Sequence, residues 1–118
     1  MKILLIVGVL GLCAFCSSKE GIHKVQKTKI RVINLSEEHF TNVMLFSMNF
    51  QDLKPRDTSE YQVLNFDPLK DDSLIYCSVG GVNFARYLEI PVNEVKNVSY
   101  LIDSIQNGIL YITTKYED

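Results

Sequence analysis

Few of the residues that build reactive or metal-binding sites occur in this chain of 118 residues, which has two histidines and three cysteines. Downstream of residue 16 there is no CxxC, HxxxH or HxxE spacing, so the clustered ligands of a zinc site are missing. A catalytic triad needs a base beside a carboxylate and a nucleophile. His23 and His39 are the candidate bases, and neither accompanies a serine motif. We therefore predict a protein that is not an enzyme and that binds no metal or cofactor.

Positive charge is not in excess either, because 12 Lys and Arg stand against 14 Asp and Glu, a net charge of −2. Nucleic-acid binding needs a basic surface, so we expect no nucleic-acid partner. A long apolar run is also missing. The run from Ile3 to Leu12 is shorter than the ~20 residues that span a bilayer.

What is present is an export signal. Lys2 precedes the apolar run, and Cys13, Ala14 and Cys16 follow it before a polar stretch that begins at Ser17. Two processing routes fit. Signal peptidase I would release a soluble chain from Ser17, whereas lipidation would make Cys16 the acylated first residue.

We favour lipidation of Cys16, although Phe15 stands where a lipobox usually has a small residue. The predicted organisation is a signal peptide at 1–15, a flexible tether at 16–27 and one domain at 28–118. Only Cys77 then remains as an ordinary cysteine side chain. No intramolecular disulfide can form, and we expect Cys77 to be a buried, unreactive thiol.

Short runs of β-branched and aromatic residues separated by turn residues predict an all-β domain. The seven predicted strands are Lys27–Leu35, Asn42–Phe50, Ser59–Phe66, Ser73–Val79, Val82–Ile90, Val98–Ile105 and Ile109–Tyr116. This number favours an antiparallel β-sandwich, Ig-like or transthyretin-like, with a partly closed β-barrel as the alternative. In the second strand, alternation predicts that Met44, Phe46, Met48 and Phe50 share the core face.

Two dipeptides predict tight hairpins, because glycine and asparagine tolerate the positive φ that two-residue turns require. They are Gly80-Gly81 and Asn107-Gly108. The second would pair Gln106 with Ile109 and set Asp103 beside Ile112, an awkward neighbour that leaves a longer loop open. Residues 93–97 are predicted to form a loop or a 3₁₀ turn.

Two polar features of the sequence are candidate sites. Asp67, Asp71 and Asp72 crowd one loop, but without the glycine and distal glutamate of a calcium loop we expect a solvated turn. Tyrosine occurs six times, and packing in the core or at sheet edges is favoured over an exposed recognition surface.

Four segments carry a resemblance to a known group. They are KIRVINLS at 29–36, FTNV at 40–43, LKPRDTSEY at 53–61 and KYED at 115–118. In these segments the chain resembles small, mostly uncharacterised Bacteroidetes lipoproteins with an all-β mature domain. The resemblance implies a β-sandwich lipoprotein, and it brings no catalytic residues.

We therefore expect a non-enzymatic cell-envelope lipoprotein that acts as a binding or accessory module. Its partners would be the membrane, through a lipid on Cys16, and an envelope protein. The expected location is the outer membrane, with surface exposure. The first alternative is a soluble inhibitor or ligand-binding protein that is secreted or periplasmic. The second alternative is a hydrolase that uses His39.

Overall fold

A computed structural model describes residues 27–91 and 96–117 of the chain. The predicted signal peptide, Cys16, His23, most of the predicted tether and most of the predicted turn at 93–97 lie outside these residues. The described residues form eight strands: β1 (Lys29–Asn34), β2 (Phe40–Leu45), β3 (Met48–Leu53), β4 (Gln62–Val63), β5 (Leu74–Val79), β6 (Val82–Tyr87), β7 (Asn97–Gln106) and β8 (Ile109–Glu117). Within these ranges no helix is long and apolar enough to cross a membrane.

The strands form two sheets of four. Sheet A has the order β4-β1-β7-β8, and sheet B has the order β3-β2-β5-β6. Among the described strands the sheets do not close into a barrel, so the predicted β-sandwich is confirmed. Neighbouring strands run antiparallel except for β1 and β7, which run parallel from Lys29 opposite Asn97 to Asn34 opposite Ile102.

The core lies between the two sheets, where alternate residues of each strand meet. Sheet A contributes residues such as Ile30, Val32 and Tyr100, all fully buried. Sheet B contributes Ile75 and Cys77, also fully buried. The remaining large core side chains are Phe40, Val43, Leu45, Phe46, Phe50, Leu53, Val98, Ile102 and Leu110.

The prediction of one strand over Asn42–Phe50 was wrong. A turn at Phe46-Ser47 divides this segment into β2 and β3, and both turn residues have positive φ, 52° and 65°. Such turns usually contain asparagine or glycine. A register shift in β2 near Asn42, whose φ is 51°, puts Val43 and Leu45 in the core instead of Met44.

The predicted strand at Ser59–Phe66 was too long, because only Gln62 and Val63 form a strand there. Upstream, the chain still follows β1. Ser59 N donates to the Val32 carbonyl, and Thr58 forms a single bridge with Ile33. Backbone hydrogen bonds, a bond from the Val32 N–H to Ser59 Oγ and an isolated bridge therefore replace a regular strand at this edge of sheet A.

Both predicted hairpins are confirmed. Gly80-Gly81 joins β5 to β6 with Val79 opposite Val82, and both glycines have positive φ. Asn107-Gly108 joins β7 to β8 with Gln106 opposite Ile109. The expected clash at Asp103 is avoided by a register shift, which sets Ile102 opposite Ile112 and lets Thr113 Oγ1 donate to Asp103 Oδ2 at 2.6 Å.

Candidate binding surface

The outer face of sheet B carries an apolar row across three strands. Met44 of β2 lies opposite Tyr76 of β5, and Tyr76 lies opposite Ala85 of β6. Leu74 lies two positions before Tyr76 on β5, so its side chain shares this face, and it lies opposite Tyr87 of β6. We call these five residues the outer patch. Met44, Leu74 and Tyr76 are half-buried, whereas the Tyr87 side chain is 79% exposed.

A shallow cavity of about 360 Å³ lies over the outer patch. Met44, Leu74, Tyr76 and Ala85 form its apolar part, and Ser47 and Asp72 form a polar margin. The Asp72 N–H donates to Ser47 Oγ at 3.0 Å, which ties the β4–β5 loop to the β2–β3 turn. An apolar floor with a few polar groups at its margin is typical of a surface that receives an apolar side chain.

One region of the outer face of sheet A is different, because charged and polar side chains form a cluster there. Arg31 of β1 donates from Nε to Ser99 Oγ at 2.9 Å, and its guanidinium lies 4.5 Å from the centre of the Tyr61 ring. Tyr61 donates to Glu117 Oε1 at 2.7 Å, and Ser99 donates to the same oxygen at 3.2 Å. These four side chains satisfy one another, so we assign the cluster a structural role.

This cluster alters two pKa values. The hydrogen bond from Tyr61, followed by those from Ser99 and the charge of Arg31, holds the pKa of Glu117 below its usual value despite some desolvation. Partial burial and the bond to Glu117 raise the pKa of Tyr61. The carboxylate of Glu117 is therefore favoured in the folded state.

A pH-dependent stability follows for Glu117. A depressed pKa adds stability above the unfolded-state pKa of about 4.3, and that stability is lost as the pH falls through the folded-state value. We expect Glu117→Gln to lower the free energy of unfolding at pH 7 and to match the wild type at pH 3. Urea unfolding at pH 7, 5 and 3 measures this difference.

Tyr61→Phe is the matched control for that experiment, because it removes the main donor to Glu117 and keeps the ring. In the Tyr61→Phe background, the effect of Glu117→Gln should depend less on pH. A Glu117→Gln difference that stays constant from pH 7 to pH 3 would show that the cluster contributes no linked stability.

A second cavity, of about 400 Å³, lies between β3 and residues 57–62, where the edges of the two sheets meet. Most of its lining residues are of polar types, and they include Asp52, Asp57 and Glu60. Asp52 Oδ1 accepts from the Asn42 N–H, and Asp57 Oδ2 accepts from the Lys54 N–H, so both carboxylates fix the local backbone. Within 27–91 and 96–117, no three acidic, histidine or cysteine side chains converge as metal ligands.

Of the residues that the sequence suggested as sites, His39 and Cys77 lie in the part of the chain that the structure describes, and they belong to different segments of the fold. His39 is exposed in the β1–β2 loop, and its neighbour Glu37 forms an ion pair with Arg56. Cys77 is fully buried, as predicted, and burial raises the pKa of its thiol to about 12. The lipid-attachment residue Cys16 lies outside the described residues.

The aspartate loop forms a turn, as expected. Asp71 Oδ2 accepts from the Asp67 N–H at 2.8 Å, and Asp67 Oδ1 accepts from the Leu69 N–H at 3.0 Å. These carboxylates thus hydrogen-bond to the backbone of their own loop.

The expectation that tyrosines pack in the core or at edges holds for only part of the set. Tyr100 is fully buried, whereas Tyr87, Tyr111 and Tyr116 are 79%, 40% and 56% exposed. Sequence reasoning missed the outer patch, because the register shift that turns Met44 outward has no signal in the pattern of apolar residues. The resulting row of Met44, Tyr76 and Ala85 comes from strands that are distant in sequence.

Comparison with known proteins gives no relative from which a site could be transferred. No family model, no curated protein and no solved structure matches the chain.

Proposed function

We propose that this chain is a non-enzymatic lipoprotein of the cell envelope, attached to the outer membrane by a lipid on Cys16. In this proposal it acts as a binding module that contacts a partner protein through the outer patch. The lipid would keep the module at the membrane surface. The domain would then present the patch to proteins in the same envelope.

The observation that carries the binding role is the contrast between the outer patch of sheet B and the charged cluster of sheet A. Sheet A presents a charged cluster in which Arg31 and Glu117 are paired, whereas sheet B presents apolar side chains and the 79% exposed ring of Tyr87. Exposed apolar patches with polar margins mark interaction sites on soluble domains. Aromatic residues are also enriched among those that dominate binding energy.

The binding role predicts a specific effect of Tyr87→Lys. Loss of an aromatic residue that dominates an interface costs about 2 kcal/mol or more, which is about a thirtyfold loss of affinity. We expect the full chain with Tyr87→Lys to retain little of the envelope protein that the wild type captures. The measurement is a quantitative pull-down from envelope extract.

Tyr111→Lys is the matched control, because Tyr111 is an exposed tyrosine on β8, in the other sheet. It should capture the partner as well as the wild type does. Equal capture by wild type and Tyr87→Lys, or equal loss in both variants, would contradict a site on the outer patch.

The lipid anchor is tested separately by the mass of the mature N-terminus. A diacylglyceryl group on Cys16 is expected, with membrane association lost in Cys16→Ser and retained in Cys13→Ser. A free N-terminal Ser17 would contradict the anchor and favour the alternative, a soluble secreted inhibitor or ligand-binding protein.

A further inference from the structure

Each sheet has two edge strands, and an exposed strand edge can pair with another chain unless it is blocked. The edge of β3 is blocked. The Asn49 carbonyl accepts from Gln62 Nε2 at 2.8 Å, and the Gln51 N–H donates to Asn49 Oδ1 at 2.7 Å. Gln51 also has a φ of 68°, which interrupts the extended backbone. In sheet A, the edge strand β4 has only two residues, which is too short for regular pairing with another chain.

The edge of β8 is obstructed at one end and charged at the other. Gln106 and Ile109 close the hairpin as a hydrogen-bonded pair, so the next pair, Ile105 and Leu110, is not hydrogen-bonded. The backbone N–H and C=O of Leu110 therefore point away from β7. Its carbonyl accepts from Arg86 Nη1 at 2.9 Å. Further along, Lys115 is exposed on this edge strand, and edge lysines are a common device against strand pairing.

The edge of β6 is open and regular. Val82 pairs with Val79 across the two-residue turn, so Val82, Phe84 and Arg86 bond to β5. Asn83, Ala85 and Tyr87 therefore direct their N–H and C=O groups away from the sheet. Among the described residues, no hydrogen bond reaches these outward backbone groups.

We propose that β6 pairs with β6 of a second copy of this chain, antiparallel and about a two-fold axis at Ala85. The two Ala85 residues would exchange backbone hydrogen bonds as one hydrogen-bonded pair. The two B sheets would join into one sheet of eight strands. The dimer has the isologous geometry that is most common among homodimers.

This register is self-complementary. Asn83 faces Tyr87 of the second copy, and Phe84 faces Arg86 of the second copy, so no like charges lie opposite each other. The small side chain of Ala85 leaves room at the axis. The two outer patches become continuous across it, because Ala85 belongs to both the patch and the edge. A homodimer is an inference separate from partner binding, since it rests on the free backbone of β6.

The test is sedimentation of a chain that begins at Ser17, which lacks the lipid-attachment residue but contains every described core residue. We expect a dimer at about 100 µM that dissociates on dilution. Ala85→Lys and Ala85→Glu should each be monomeric, because like charges then meet at the axis. An equimolar mixture of the two variants should form a dimer. Tyr111→Lys should remain dimeric.

Oxidative crosslinking tests the register independently of charge. Opposed Ala85 residues would have Cα atoms about 5.5 Å apart, a distance that a disulfide spans. Ala85→Cys should therefore form a disulfide-linked dimer. Asn83→Cys should not, because two Asn83 residues would be about 14 Å apart along the paired strands.

Three results would overturn the proposal: a monomeric wild type at this concentration, a mixture of folded charge variants that stays monomeric, or equal crosslinking at positions 83 and 85. Sedimentation and crosslinking use the purified protein alone and therefore test only the homodimer. If the homodimer is disproved, the pull-down with Tyr87→Lys still tests the binding of a partner protein.

Discussion

Replacing Phe46 with alanine should lower the free energy of unfolding by about 4 kcal/mol, the usual scale for removing a buried phenylalanine. The Phe46 ring is fully buried and packs edge-to-face against Tyr100 of β7, with ring centres 5.6 Å apart. A second edge-to-face contact, at 6.0 Å, joins it to Phe66. The truncation would leave a cavity between the two sheets, because Tyr100 belongs to sheet A.

Phe46→Leu is the matched control, since it keeps most of the apolar volume and loses the ring contacts. We expect it to cost about half as much as Phe46→Ala, because aromatic pairs add only about 1 kcal/mol beyond burial. Urea unfolding followed by fluorescence of the tyrosines measures both variants. A loss below about 1 kcal/mol in Phe46→Ala would show that this ring does not hold the sheets together.

The second large effect is expected at Asn34, whose side chain is fully buried at the end of β1. Its Nδ2 donates to the Glu38 carbonyl at 2.7 Å and lies 3.2 and 3.0 Å from the carbonyls of Leu53 and Lys54. Its Oδ1 accepts from the N–H and the hydroxyl of Ser36. One amide thus joins the β1–β2 loop to the end of β3.

Asn34→Ala should therefore cost about 3 to 4 kcal/mol, because one buried carbonyl, two part-buried carbonyls and a buried N–H lose their partners together. Asn34→Asp should be worse at pH 7, since its carboxylate would face those carbonyls. A folded-state pKa above the unfolded value of about 3.9 adds stability at low pH that is lost as the pH rises. The Asp variant should therefore recover part of its loss at pH 4.

The matched control is Asn97→Ala, at a half-buried asparagine whose side chain forms no hydrogen bond to another residue of the described ranges 27–91 and 96–117. Its cost should stay below about 1 kcal/mol. The free energies of unfolding from urea titration at pH 7 and pH 4 compare the three variants. If Asn34→Ala cost no more than Asn97→Ala, the buried network would contribute nothing measurable to stability.

The hairpins show where sequence is sufficient for prediction. Asn107-Gly108 supplies the positive φ that its turn needs, and the register of β7 and β8 near the turn follows from it. The β2–β3 turn gives no such signal, because Phe46 and Ser47 adopt positive φ without glycine or asparagine. Burial of Phe46 in the core overrides the preference of phenylalanine for negative φ. This burial depends on residues distant in sequence, so no local pattern predicts the turn.

The candidate surface was even less predictable. Met44 points to the outer face of sheet B because the register of β2 shifts by one residue near Asn42. A shift of one residue moves side chains to the opposite face of a sheet. The network at Asn34 was hidden for a similar reason, since its acceptors on Leu53 and Lys54 are backbone atoms brought close by folding. The sequence contains six tyrosines, but the geometry of the sheets decides which of them are exposed.

The parallel pair of β1 and β7 has a consequence for the order of folding. Arg31 and its partner Ser99 are 68 positions apart, so sheet A cannot acquire its central pair until nearly the whole chain is available. Contacts this distant slow folding, because a long loop must close before they form. A nascent chain of this sequence would therefore complete sheet A only when synthesis is almost finished, whereas all four strands of sheet B lie within residues 40–87 and are available earlier.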